Sequence, residues 1–225
     1  MLDGLIDLLL PARCGGCDGL GRLYCDTCLA LTRRLDSAIC LRCGAATESR
    51  RRDCGCRARL RHLARIRSAA VHEGPLERAI HRFKYRGRAA LARPFALLLA
   101  ERLAVEGLPA LAIAWVPLHP HRLRERGYDQ ARLIAVEVAR ITGLPLLGGS
   151  LRRIRKTPPQ VGLDRLQRQK NVAAAFAYSG EPEPGPVLLI DDVATTGATL
   201  DAAAAALQGA GISPVFGFTV ARATV

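Results

Sequence analysis

The chain changes its apolar rhythm at about residue 64. Beyond that point, short apolar runs alternate with stretches in which apolar residues recur every three or four positions, the signatures of buried strands and amphipathic helices. Val187-Leu-Leu-Ile190 is a continuous apolar run of the kind found in a strand covered on both faces. Leu111–Val116 and Pro214–Val220 read the same way, and Ser68–Glu73 and Val172–Tyr178 are further strand candidates. Asp129–Thr142 places Ala131, Ile134, Ala135, Val138 and Ile141 on one helical face, and Gly143 stops it. Pro75 opens a helix to about Tyr85, Gly197–Gly209 is another, and Pro94 falls within or splits a helical pattern over Leu91–Val105. Strands alternating with helices predict an α/β fold, a mostly parallel sheet flanked by helices.

Before residue 64 the pattern is different. Leu2, Leu5, Ile6 and Leu9 fit one face of a short helix that Pro11 ends. Asp3 and Asp7 lie in this stretch and no basic residue precedes Arg13, so it does not read as a secretory signal, and Arg13 directly before Cys14 argues against lipoprotein processing. A cytoplasmic location is expected, where paired cysteines are seldom disulfides. No apolar run approaches the ~18–20 residues of a membrane span. All eight cysteines of the 225-residue chain lie between residues 14 and 56. A segment of that length has a marginal core unless something staples it. The expected organisation is therefore a small N-terminal module over 1–63 and a complete domain over 64–225.

The cysteines fall as Cys14-x-x-Cys17, Cys25-x-x-Cys28, Cys40-x-x-Cys43 and Cys54-x-Cys56. Two thiolates on one tight turn can face one ion, and two such turns close a tetrahedron around Zn²⁺. Sequential pairing gives one site from Cys14, Cys17, Cys25 and Cys28 and a second from Cys40, Cys43, Cys54 and Cys56. The spacing also permits an interleaved pairing, and the shorter Cys54-Gly-Cys56 step makes the second site the less regular. One or two structural zinc ions are expected, and no thioredoxin-like context surrounds any pair.

Charge adds a second question. Lys and Arg number 33 against 20 Asp and Glu, a formal net charge of +13, and only Lys84, Lys156 and Lys170 among the basic residues are lysines. Such a balance suggests an anionic partner; a coding bias toward Arg and Ala is the competing reason.

The most specific stretch is Val187-Leu-Leu-Ile-Asp-Asp-Val-Ala-Thr-Thr-Gly-Ala-Thr-Leu200. It reads as a buried strand that ends at Asp191-Asp192, then a tight loop over Val193–Thr199 that enters a helix. Ligands of open α/β sheets bind at the carboxyl ends of strands. Loop amides and a helix N-terminus make an anion cradle, Gly197 permits close backbone approach, and Thr195, Thr196 and Thr199 add hydroxyl donors. Adjacent carboxylates beside it suit vicinal sugar hydroxyls or Mg²⁺ bound through water. Together they describe a sugar-phosphate site.

This stretch resembles the phosphoribosyl pyrophosphate (PRPP) motif of type I phosphoribosyltransferases. The resemblance implies that Asp191 and Asp192 hold the ribose hydroxyls, and that Ala194, Thr195, Thr196, Gly197, Ala198 and Thr199 hold the 5′-phosphate, with Mg²⁺ accompanying PRPP. Over nearly its full length the chain resembles the ComF family of competence-type, phosphoribosyltransferase-like proteins with an N-terminal zinc ribbon. The cysteine pairs carry that resemblance, followed by Phe83-Lys-Tyr-Arg-Gly87, Val116-Pro-Leu-His-Pro-His-Arg-Leu-Arg-Glu-Arg-Gly-Tyr-Asp-Gln130, Arg155-Lys-Thr-Pro-Pro-Gln160, Arg168 and Asn171. Asp129 stands where the family usually has Asn.

Two basic loops complete the reading. Arg122, Arg124 and Arg126 follow the strand ending at Val116-Pro117, where the resemblance places a pyrophosphate contact. Arg152, Arg153, Arg155, Lys156, Arg165, Arg168 and Lys170 correspond to the mobile loop that closes over PRPP. Either run can instead be a solvated face or a track for a DNA backbone. An aromatic content of 4% gives little to stack single-stranded bases upon. His119 and His121 read as surface histidines or as phosphate contacts. Two functions follow: a PRPP-binding phosphoribosyltransferase-like protein linked to DNA uptake and natural transformation, and a non-catalytic accessory protein that binds single-stranded DNA and works with competence machinery. The oligomeric state is not legible.

Overall fold

A computed structural model describes residues 11–35, 39–46, 54–147, 151–154, 175–181 and 185–223. The helix expected over Leu2–Leu9 lies outside them. The elements are α1 (Asp26–Ala30), β1 (Arg65–Val71), α2 (Gly74–Tyr85), α3 (Ala92–Glu106), β2 (Ala112–Trp115), α4 (Pro120–Arg126), α5 (Gln130–Thr142), β3 (Leu151–Arg153), β4 (Phe176–Tyr178), β5 (Val187–Ala194), α6 (Ala198–Gly209) and β6 (Val215–Arg222). Among the described residues no helix is long and apolar enough to cross a membrane.

Four strands form one sheet in the order β1-β6-β5-β2, every neighbouring pair parallel. β3 and β4 form a separate antiparallel pair. The α/β architecture with a parallel sheet flanked by helices is thus as expected. Side chains of a strand alternate between faces, and β5 divides accordingly. Leu188 and Ile190 join a core with Phe83, Phe95, Leu99, Ile134 and Val138 from α2, α3 and α5. Val187 and Leu189 join a second core with Leu200 and Leu207 of α6, and with Leu60, Leu63 and Ile66. The run reads as continuously apolar because both faces are covered.

Several boundaries differ from the pattern-based expectation. β5 does not stop at Asp191-Asp192 but runs on to Ala194, because β6 continues beside it and pairs Asp191 with Thr219 and Ala194 with Arg222. The turn into α6 is correspondingly shorter. Pro94 does not split α3; it sits in the first turn, where its missing N–H has no helical partner to lose. β1 starts three residues earlier than its apolar residues suggest. Arg65 and Arg67 hide its beginning, and buried Arg67 is tied by Nε to Glu106 at 2.8 Å. Ile141, expected on the buried face of α5, is 42% exposed in the last turn. Residues 172–174 of the expected strand lie outside the described residues, and only Phe176–Tyr178 is a strand there.

The cysteine-rich segment shares both cores. Cys14 and Cys28 belong to the core on the α2 face, and Cys40, Cys43 and Cys56 to the core on the α6 face. The first turn is docked on α2 through its backbone. Arg78 Nε donates to the Gly16 carbonyl at 2.7 Å, and Arg82 Nη1 to the carbonyls of Cys14 and Gly15 at 3.1 and 2.9 Å. The second turn docks on β1: the Ile66 amide donates to the Arg42 carbonyl at 2.7 Å, and Arg67 Nη2 to the Leu41 carbonyl at 2.9 Å. Gly44 has φ +66°, and a Cβ there would lie 2.7 Å from the Ile66 carbonyl oxygen, so only glycine allows this approach.

One carboxylate fastens the end of that segment to α6. Buried Asp201, in the helix's first turn, accepts from the amides of His62 and Leu63 through Oδ1 at 2.9 and 3.1 Å. Hydrogen bonds to a charged group contribute about 1.5–3 kcal/mol, and their loss leaves buried donors unmet. Asp201→Ala is expected to lower the unfolding free energy by about 2–3 kcal/mol in urea titration, while Asp201→Asn, which keeps the accepting oxygen, loses less. Equal losses in the two variants would show that the accepting oxygen is not what matters.

Candidate functional site

Parallel strands bring all their carboxyl ends to one edge, and a cavity of about 980 Å³ opens there. It is walled by the end of α2, the segment after β2, α4, the start of α5, β3, and the turn from β5 into α6. Of the residues singled out in the sequence, Asp191, Asp192, Ala194, Thr195, Gly197, Ala198 and Thr199 line it from one side. Arg122, Arg126 and Arg153 line it from others. Thr196 does not; it is buried, and its Oγ1 accepts from the Ala198 amide at 3.3 Å, shaping the turn. Arg124 does not line the cavity either, being exposed on the outer side of α4. Lys156, like all of 155–174, lies outside the described residues.

Gly197 has φ +83° and caps α6. A Cβ there would lie 2.6 Å from Ile66 Cδ1 and 3.1 Å from Leu60 Cδ2. The space that glycine frees is thus filled by the second core, and the loop is pressed against it. What faces the cavity is the backbone at the N-terminus of a twelve-residue helix, where the helix dipole favours an anion.

The acidic pair is held by two contacts. The Asp192 amide donates to Asp191 Oδ1 at 2.8 Å, and Lys84 Nζ lies 2.8 Å from Asp192 Oδ1. Burial, reinforced by the neighbouring Asp192 carboxylate, pushes the Asp191 carboxyl up to about 8. Asp129 is raised by its own burial, while the amides of Leu118 and Arg132, donating at 2.8 and 3.1 Å, oppose that rise. Asp129 caps α5 by the second of these bonds.

Lys84 and Gln130 were not singled out as site residues, although both lie in stretches quoted for the resemblance. The available signal for Lys84 was its identity, one of three lysines in a chain whose other basic residues are arginines. Gln130 is 1% exposed; its Oε1 accepts from Arg126 Nη1 at 2.6 Å, and its Nε2 has no partner among the described residues. Arg126 itself lies over the Tyr85 ring, 5.0 Å from the centroid.

Away from the cavity, the cysteines gather as two groups of four, Cys14, Cys17, Cys25, Cys28 and Cys40, Cys43, Cys54, Cys56, with all sulfurs of a group within 4.8 Å of one another. Sequential pairing is therefore the one the fold adopts. Sγ···Sγ separations are 3.6 Å for Cys14–Cys28, 3.7 Å for Cys17–Cys25, 3.8 Å for Cys40–Cys56 and 3.3 Å for Cys43–Cys54. Tetrahedral Zn²⁺ with Zn–S near 2.3 Å needs sulfurs about 3.8 Å apart, so both cages could hold structural zinc. Burial raises the Cys14 thiol, but amides of Cys25, Cys17 and Gly16 outweigh it and bring the group down to about 6. Cys40 is likewise raised by burial and brought down to about 6 by amides of Cys43 and Arg42. Each cage thus contains one thiol already disposed to be a thiolate, the form that binds metal.

No family model matches the chain. Individual relatives do. It is 34% identical over 158 residues to Competence protein F of Haemophilus influenzae, covering 66% of this chain and 69% of that protein. It is 29% identical over 182 residues to the DNA utilization protein YhgH of Escherichia coli K12, covering 78% and 80%. It is 32% identical over 141 residues to Competence protein ComFC of Streptococcus pneumoniae, covering 63% and 60%. With the paired cysteine cages and the acidic strand end now placed on one parallel sheet, these similarities show that the chain belongs to the ComF family.

Proposed function

We propose that the chain is a PRPP-binding, phosphoribosyltransferase-like protein that serves DNA uptake and natural transformation. The observation that carries this reading is the meeting, in one cavity at the carboxyl end of β5, of an acidic pair, a threonine-bearing helix N-terminus and arginines from α4 and β3. In this reading Asp191 and Asp192 accept from the ribose hydroxyls, and the backbone over 194–199 with the hydroxyls of Thr195 and Thr199 holds the 5′-phosphate, while Thr196 shapes the turn. Arg122, Arg126 and Arg153 face the pyrophosphate, and Lys156 keeps its role on the closing loop. Arg124 drops out. Residues 1–63 act as the metal-stapled module and 64–225 as the ligand-binding unit.

The chemistry follows from charge. Breaking the bond between the anomeric carbon and pyrophosphate leaves the electron pair on the leaving group and positive charge on the sugar, to which an acceptor then bonds. Fixed cations aimed at the leaving group stabilise that separation. The carboxylates and threonine hydroxyls offer only oxygen donors, which suit Mg²⁺; bound with PRPP, it would neutralise polyphosphate charge. The names of the related proteins, for competence and for DNA utilization, support the placement in DNA uptake.

A second reading, single-stranded DNA binding, is favoured by one observation. The chain carries a formal +13, while the cavity lining sets four cations (Lys84, Arg122, Arg126, Arg153) against four carboxylates (Glu125, Asp129, Asp191, Asp192). Among the described residues the basic surplus therefore lies outside the cavity, available to a backbone of phosphates.

Three measurements test these readings. Calorimetry with PRPP and Mg²⁺ is expected to show binding that Asp191→Asn with Asp192→Asn weakens at least tenfold. Because the free-state Asp191 carboxyl holds its proton up to about pH 8 and the ligand needs it ionised, affinity should rise between pH 6 and 8 and then level off. No heat with PRPP at any pH would remove the reading. Elemental analysis of protein purified without chelators should find about two zinc per chain, and stripping them should lower the melting temperature of the whole chain, since the cages sit in both cores. Metal-free protein that melts unchanged would refute a structural zinc role. For the DNA reading, single-strand affinity should fall with salt, with a slope of about 0.7 per phosphate neutralised; absence of binding at low salt would discard it.

A further inference from the structure

We propose that Lys84 is a built-in counter-ion that occupies the cation position of the acidic pair in the free protein, so that this site rejects a bare divalent ion and accepts one only as its complex with a sugar polyphosphate. The part of this that names the polyphosphate rests on the reading above; the exclusion of bare metal does not.

The geometry is specific. Nζ of Lys84 lies 2.8 Å from Asp192 Oδ1, and the two side chains are 22% and 10% exposed. Both line the cavity. The position of Lys84 is fixed from both sides along α2. Phe83 is fully buried in the core, and its carbonyl accepts from the Tyr128 hydroxyl. Arg82 is bonded to the carbonyls of the first cysteine turn. The ammonium is therefore delivered to Asp192 by a helix that cannot easily retreat, on a flexible four-carbon stem that can.

The identity of the residue matters. The chain meets almost every need for positive charge with arginine, yet places a lysine here. A guanidinium is a planar fork that grips a carboxylate by two parallel hydrogen bonds. An ammonium is a compact point charge with rotatable donors, closer to a metal ion in shape, and it can be handed to another acceptor. Asp192, 10% exposed and beside a second carboxyl group, needs such a cation in the absence of ligand.

The consequence is a coupled exchange. A bare divalent ion entering between Asp191 and Asp192 would have to displace the ammonium and leave it partly buried beside a dication. Asp129, a neighbouring carboxyl of the lining, already accepts from two amides, so the repulsion is poorly compensated. A divalent ion carried by a polyphosphate brings anionic oxygens with it, and the displaced ammonium has a new acceptor within reach of its stem. Metal and polyphosphate therefore bind as one unit.

Mn²⁺ titration, read by its electron paramagnetic resonance signal, tests this on the full-length, zinc-loaded protein. Wild type should show no Mn²⁺ bound at the acidic pair in the absence of ligand. Lys84→Met should bind Mn²⁺ alone at least tenfold more tightly, and adding Asp192→Asn should abolish that gain. Wild type binding free Mn²⁺ as tightly as Lys84→Met would overturn the proposal, as would a gain that survives Asp192→Asn. Lys84→Arg keeps the charge and guards against a misfolded Met variant: it should still exclude bare Mn²⁺ yet bind Mn²⁺ with PRPP at least tenfold more weakly than wild type, because the fork is not released. Unchanged PRPP affinity in that variant would refute the exchange. If PRPP binds no variant while Lys84→Met still gains Mn²⁺, the counter-ion role stands and the PRPP reading falls.

Discussion

A parallel strand that carries two carboxylates at its buried end imposes the central constraint on this molecule. Removing a carboxylate from water is costly unless a cation or donors meet it. β5 cannot avoid the cost, because β6 and β2 cover its edges and cores cover its faces. Asp192 is met by Lys84 and Asp191 by the next amide. The position of α2 is therefore an electrostatic requirement of β5, and α2 is in turn clasped by the first cysteine turn through Arg78 and Arg82. On the opposite face, the turn after β5 rests on Ile66 and Leu60, which follow the second cage. The acidic pair and the turn into α6 each depend on a different cage.

That arrangement explains why the cysteine segment needs no core of its own. Its cages lend their buried sulfurs to the two cores of the sheet and receive hydrogen bonds from arginines whose acceptors are backbone carbonyls. Such bonds hold a turn by its shape, independent of which side chains it carries. Arg222 stands near the second cage in another way: it ends β6, pairs in register with Ala194, and is so buried that its positive charge is disfavoured, with Cys43 and Cys54 acting in the opposite sense. Filled with zinc, each cage would carry about −2, and part of the chain's basic excess thus has a structural purpose close to the sulfurs.

Legibility from sequence followed physical cause. Both faces of β5 are buried, so Val187–Ile190 was unmistakable; its last residues were not, because Asp191 and Asp192 look like an ending while β6 continues pairing to Ala194. β1 was found late because Arg65 and Arg67 are satisfied by Glu106, a partner 41 residues away from Arg65 that no local pattern reveals. The cysteine spacing announced two cages but left their pairing open until the sulfurs were placed. The acidic pair and most of the turn after it were legible as a site. Lys84 was not, since its partner lies on another element and its own helix is legible without it. Arg124 illustrates the reverse error, for a run of charges at alternate positions on a helix cannot all face one cavity.

The cavity's internal balance bears on what can recognise it. Among the described residues four cations and four carboxyl groups line it, and where they stand matters more than their sum. Selectivity must come from how the charges are separated: carboxylates and their lysine at the end of β5, arginines on α4 and β3, and helix amides at the turn. A ligand that satisfies all three at once must itself carry hydroxyls or a cation at its centre and anionic groups at both ends. A simple phosphate meets only one of these demands, and a nucleic-acid backbone, with its evenly spaced single charges, has no central group to replace Lys84 on Asp192. The separation of charge among the three walls, more than its sum, is what a ligand of this cavity has to match.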